Sequence, residues 1–109
     1  MKKVILLLIC MSSIIYGSNV EKLRAVSTAQ FTTEILLSIG ADDQIIGTSF
    51  LDDEILPNLK KQYLKIPVLA ERAPTKEQFY SLSPNFLIGW NSIATEKYLG
   101  VPEELKENG

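Results

Sequence analysis

Histidine is absent from the 109 residues. Its absence removes the commonest general base and the commonest metal ligand, and with them any serine or cysteine triad built on an imidazole. The single cysteine, Cys10, sits in an apolar run near the start, so the chain holds no internal disulfide and no Cys/His zinc site. The six glycines are scattered, and none falls in a phosphate-cradling loop or a Gly-x-Ser-x-Gly elbow. No block of Lys or Arg occurs and the formal net charge is −2, which argues against a nucleic-acid surface. What remains is 46% hydrophobic and 22% charged, enough apolar content for a core and too little charge for disorder.

The apolar content is uneven. Met1-Lys2-Lys3 is a short basic start, Val4 to Met11 is unbroken apolar sequence, and Ile14-Ile15-Tyr16 leads into the small residues Gly17 and Ser18. This order is that of a cleavable secretory signal, and residues 1–18 are read as one. The stretch falls short of the roughly 20 residues a spanning helix needs. Cys10 offers an alternative, lipidation as in bacterial lipoproteins, but Ile9 replaces the small residue such sites favour directly before the cysteine. The expected product is exported to the periplasm, or held at the cell surface if Cys10 carries lipid.

Behind the leader the pattern alternates. Leu23 to Ser27 reads as a strand. Phe31 to Ile39 reads as a helix, with apolar residues at 31, 35, 36 and 39 close to helical spacing. Thr32 or Thr33 is expected to cap it, Glu34 to sit in its first turn, and Gly40 to end it. Gln44 to Ser49 is a second strand. Asp52 to Leu59 is weakly patterned and reads as a short helix interrupted by Pro57. Lys65 to Leu69 is a brief extended piece limited by Pro67. Pro74-Thr75 opens a helix over Lys76 to Leu82, which Ser83-Pro84 breaks. Phe86 to Trp90 is the most apolar strand, expected to be buried on both faces. Asn91 to Leu99 and Val101 to Glu107 read as helices. Strands alternating with helices predict an α/β layered domain with a mainly parallel sheet over residues 19–109. The closing Glu107-Asn108-Gly109 is where a helix would lead into another strand, so the sequence is read as the front part of a longer chain.

Acidic residues cluster at Asp42-Asp43 and Asp52-Asp53-Glu54. Adjacent acids of this kind are usually solvated loop charges. One alternative makes them the metal site of a small exported enzyme, although their spacing lacks the alternation of a calcium loop.

Three stretches, in this order, carry a resemblance: Arg24 to Ala41 with its Thr33-Glu34-Ile35-Leu36, Gln44 to Ser49 with its Ile45-Ile46-Gly47, and Ala73 to Trp90 with its Pro74, Glu77, Leu82 and Pro84. Together they resemble the N-terminal lobe of the ABC-importer binding proteins for iron-siderophore complexes, haem and cobalamin. Asn85 stands where the family commonly has Asp, and Ile39 where it has Leu. The resemblance implies one half of a two-lobed solute-binding protein, not an enzyme, with ligand captured between lobes and no cofactor of its own. It implies an iron(III)-siderophore-type chelate as ligand, with haem or cobalamin as the alternatives, and an ABC permease with its ATPase as partner. The loops implied to meet ligand are Thr28 to Phe31, Phe50 to Asp52, Glu71 to Ala73 and Trp90 to Ser92. Within them Gln30, Phe31, Phe50, Arg72, Trp90 and Asn91 are the implied ligand-binding residues. Phe31, Phe50 and Trp90 offer flat apolar surface, with plain packing as the competing role for each; Arg72 offers a planar cation, with a solvated surface charge as its alternative. Glu77 resembles the lobe-surface glutamate that docks on permease arginines, although a helix first turn favours a carboxylate in any case.

Overall fold

The computed structural model describes residues 21–109, so the leader and Cys10 lie outside the described residues. Four short strands form the sheet: β1 (Ala25–Ser27), β2 (Ile45–Ser49), β3 (Val68–Ala70) and β4 (Phe86–Ile88). Four helices accompany them: α1 (Gln30–Ser38), α2 (Lys60–Tyr63), α3 (Lys76–Ser81) and α4 (Pro102–Glu107). The strand order is β3-β2-β1-β4 and every pairing is parallel. The α/β layered lobe expected from the alternation is the observed architecture.

Parallel strands need crossovers, and right-handed crossovers fix which face each helix covers. The chain runs outward from β1 through β2 to β3, then jumps back past β1 to β4. Helices before the jump therefore share one face and those after it share the other. Two core clusters match this. Leu37, Ile45, Leu59 and Ile66 gather with Leu36, Ile55 and Tyr63 on the α1/α2 side. Val26, Phe79, Ile93 and Leu99 gather with Ile46, Leu69, Leu87 and Leu105 on the α3/α4 side. The register of β1 on β2 shifts by one residue between Ala25 and Val26.

Helix α1 corrects the sequence expectation in two ways. Its buried residues are Thr32, Thr33 and Leu37, while Phe31, Ile35 and Ile39 are exposed, Ile39 by 72%. Three of the four apolar positions at helical spacing point outward, and Leu36 alone packs against the core beside Leu37. The inward face is held by hydroxyls instead: Ser27 lies 2.7 Å from Thr32 and 2.8 Å from Thr33, and Thr33 lies 2.7 Å from Thr48. Because Thr32 and Thr33 are spent on the sheet and on the Ala29 carbonyl, neither caps the helix; the cap residue is Ala29, with no side-chain cap. Starting at Gln30 also moves Glu34 past the first turn, so it is not a helix-start acid. The C-terminus follows expectation. Gly40 takes φ 77°, its N–H donates to the Leu37 carbonyl, and the Ala41 N–H donates to that of Leu36, as in a Schellman end.

Helix α3 begins with a reciprocal capping box between Thr75 and Gln78, and Glu77 falls in its first turn as expected. The short helix expected over 52–59 does not form: that segment is irregular, ending in a turn from Pro57, and the helix α2 lies beyond it. Strand β4 is a further correction. It is an outer strand of the sheet, and Phe86 is 41% exposed, so it is not buried on both faces. Residues 91–99 are another. Only Asn91–Ile93 makes a 3-10 turn. The Leu99 N–H then bonds back to the Ile93 carbonyl and Gly100 to that of Thr95, which folds Leu99 fully into the core. Asn91, Ser92 and Thr95 are poor helix residues because their side chains compete for backbone groups, as Thr95 does with the Ser92 carbonyl.

Candidate functional site

In an open parallel sheet the carboxyl ends of all strands share one edge, and ligands settle where the crossover direction reverses. Here the reversal lies between β1 and β4. Two loops leave that seam, one into α1 and one into the Asn91 turn, and both begin tightly. The Thr28 N–H donates to the Ile88 carbonyl at 2.9 Å. A methyl group placed on Gly89 would collide with the Thr28 hydroxyl. Glycine is therefore required for β4 to lie this close to β1.

Above the seam the loops bring Phe31 and Trp90 together, ring centroids 4.7 Å apart and planes tilted by 55°. Both remain open to solvent, Phe31 by 43% and Trp90 by 60%. An exposed aromatic pair in contact presents flat apolar surface that folding alone does not use. Beside it a hollow of about 330 Å³ is lined by Thr28, Phe50, Asp52, Trp90, Ser92, Ile93 and Tyr98. A second hollow of about 440 Å³ adjoins, lined by Phe50, Leu51, Asp52, Val68, Ala70, Glu71 and Arg72. The first is walled by aromatic and small polar residues; the second carries three charged ones.

Phe50 and Asp52 belong to both linings. Phe50 has φ 57°, a left-handed conformation that costs a bulky residue about 1–2 kcal/mol. Its backbone is held in place. The Phe50 carbonyl accepts the Gln30 N–H at 3.1 Å. The Gln30 side chain accepts the Asp53 N–H at 2.7 Å and donates to the Glu54 carbonyl at 3.1 Å. Glu34 accepts the Leu56 N–H at 3.2 Å and the Gln30 amide at 3.3 Å. The start of α1 thus clamps the loop after β2 at four points.

The residues singled out in the sequence separate accordingly. Phe31, Phe50, Trp90 and Arg72 converge on one edge of the sheet. Asn91 is exposed in the turn beside Trp90 and lines neither hollow. Gln30 is at the same edge, but its amide is committed to the Asp53-Glu54 loop. Glu77 is exposed at the start of α3, also on the carboxyl-end side of the sheet. Glu34, read only as a helix-start acid, turns out to brace the cleft. Ser92 enters the sequence reading only as the end of the Trp90 to Ser92 loop, and Tyr98 not at all; the folded-back course of 91–99 brings Tyr98 to the cleft, which helical spacing does not show. The acidic runs do not converge: Asp43 faces Lys22 at 3.9 Å, Asp53 accepts the N–H of Glu54, and no group of three metal-ligating side chains is found among the described residues.

No helix among the described residues is long and apolar enough to cross a membrane. No protein-family model matches the chain, and no curated protein matches it. Among solved structures, a periplasmic binding protein from Veillonella parvula DSM 2008 superposes with a TM-score of 0.76 at 32% sequence identity, over 85% of this chain and 31% of that one. The chain therefore spans about a third of the length of the protein it matches, and what the two share is a four-stranded parallel lobe of the periplasmic-binding-protein fold.

Proposed function

We propose that this lobe is the N-terminal half of an exported solute-binding protein that presents iron(III)-siderophore-type chelates to an ABC permease. The observation that carries the reading is the exposed Phe31–Trp90 pair, set over the seam between β1 and β4 where open α/β sheets take ligands. The likeness to a periplasmic binding protein supports the same role. Large chelates are flat-sided and often anionic. Phe31, Trp90 and the Phe50 wall supply apolar contact, and Arg72 supplies a fixed cation with planar donors. Asn91, next to Trp90, adds a polar contact at the rim. Gln30 acts on ligand through the loop it holds. A second lobe closing over this edge would complete the pocket by hinge motion. Glu77, exposed on the same side of the sheet, is the group for docking on permease arginines. The leader over residues 1–18 would deliver the protein to the periplasm.

Trp90 is the single tryptophan of the sequence, so its fluorescence reports this edge alone. Titration with ferric hydroxamate and ferric catecholate chelates is expected to give saturable quenching with Kd in the range of about 10–1000 μM, since one lobe offers few contacts against the cost of immobilising ligand. Arg72→Ala is expected to weaken anionic chelates about tenfold, the worth of one charge-assisted bond. Quenching that does not saturate, or that the iron-free chelators match, removes the siderophore reading. Saturation by haemin or cobalamin alone transfers the role to those ligands.

A further inference from the structure

Resting on the reading of this edge as a ligand cleft, we infer that Phe50 is a specificity-determining divider, and that Gln30 and Glu34 are the positioning residues that hold it across the cleft. Three observations meet at this residue. Phe50 lines both the aromatic hollow with Trp90 and Tyr98 and the charged hollow with Glu71 and Arg72. It stands in a left-handed conformation that phenylalanine rarely adopts. Its loop is tied to α1 through the Gln30 backbone, both ends of the Gln30 amide, and the Glu34 carboxylate. Polar groups committed this fully to one loop, beside a strained bulky residue, fix the position of its side chain rather than merely close a turn. Phe50 also packs against the core beneath, so the wall has a firm footing.

The consequence is two compartments of different chemistry. A ligand must fit its flat part on the Trp90 side and its charged part on the Arg72 side without a rigid bridge crossing Phe50. Removing the ring joins the hollows into one trough. Bulky, continuous ligands are then admitted that the native protein turns away.

The probe is 1-anilinonaphthalene-8-sulfonate, which carries an apolar ring system and a sulfonate on one rigid frame and so matches the Trp90 side with one part and the Arg72 side with the other. Phe50→Gly suits the left-handed backbone and deletes the wall; Phe50→Asn, also tolerant of that backbone, serves if the glycine variant does not fold. Dye affinity is expected to rise about tenfold in either variant, and Arg72→Ala added to it to cancel the rise, the signature of two coupled sites. Gln30→Ala is expected to raise dye affinity in the same direction and to speed amide exchange from Asp53 to Leu56. Dye affinity unchanged in the Phe50 variants, or a rise that survives Arg72→Ala, overturns the divider. A Gln30→Ala protein that melts earlier but binds dye as the native protein does overturns the positioning role. The dye is not a cargo, so failure of the ferric chelates to quench Trp90 removes the siderophore reading while the dye still decides the divider.

Discussion

Thr33 has no exposed surface, yet it is polar. Its hydroxyl lies within hydrogen-bond reach of the Ala29 carbonyl, Ser27 and Thr48, which joins α1 to β1 and β2 in one chain of hydroxyls. Such a chain is stable only while every member has a partner. Thr33→Val keeps the shape and removes the link, leaving Thr48 and Ser27 short of a partner. The expected loss is about 1–3 kcal/mol, read from the denaturant midpoint at unchanged m-value; a shift below a few tenths would mean that water reaches the network. Asn85 makes a similar point in miniature. Aspartate would be nearly the same size and shape at this position. In the structure its carbonyl oxygen accepts the Arg24 N–H at 2.7 Å, and its amide donates to the Lys22 carbonyl at 3.1 Å. The second bond is one that a carboxylate cannot make.

Among the elements, the seam between β1 and β4 is the most demanding. Gly89 leaves the strand directly against Thr28, with no room for a side-chain carbon. Gly89→Ala must push β4 away from β1 or twist Thr28 off its bond to the Ile88 carbonyl. Overpacking of this kind costs about 1–3 kcal/mol, and it should also loosen the Phe31–Trp90 contact. A lower melting temperature together with a red-shifted Trp90 emission is the expected pair of results; an unshifted melt would show that the strands have slack. The strand and helix alternation was legible because strands this apolar and glycines this well placed leave few alternatives. The inward face of α1 was not. Periodicity weighs Phe31, Ile35 and Ile39 as core because they are apolar, and it has no way to see that Thr32 and Thr33 find hydroxyl partners on β1 and β2. The same blindness applies to residues 91–99, where burial of Leu99 through a folded-back loop overrides helical spacing. At the site, the loops came from the resemblance joined to the carboxyl ends of the expected strands, and Phe31, Phe50 and Trp90 stand at those ends in the sequence. The committed amide of Gln30 and the brace from Glu34 were not legible, since both depend on where the loop after β2 lies.

At the scale of the whole fold, few ion pairs join one element to another among the described residues. Lys76 on α3 meets Glu104 on α4 at 2.9 Å, and the hydrogen bond to Glu104 raises the Lys76 pKa above its ordinary value. Tyr63, on the other face, is also raised, by burial. Both shifts have the same sign. A group whose folded pKa is raised adds stability below its unfolded pKa and loses that contribution as pH rises through the folded one. Stability is therefore expected to be indifferent to these two groups near neutrality and to fall above pH about 10. Thermal midpoints from pH 7 to 11 check this. Lys76→Met should flatten part of the alkaline decline, and a decline identical in that variant would assign it to other groups.

The strand order also sets a schedule. β1 is made first and sits at the centre of the sheet, flanked by β2 and β4. Its partner β2 follows after a short loop, but the Thr28 to Ile88 bond closes across a sequence separation of 60 residues. Closing a loop that long carries a large entropy before any contact rewards it, and non-local parallel pairing is slow. The Phe31–Trp90 edge therefore exists only once β4 has docked on β1, so it depends on the most distant pairing of the sheet.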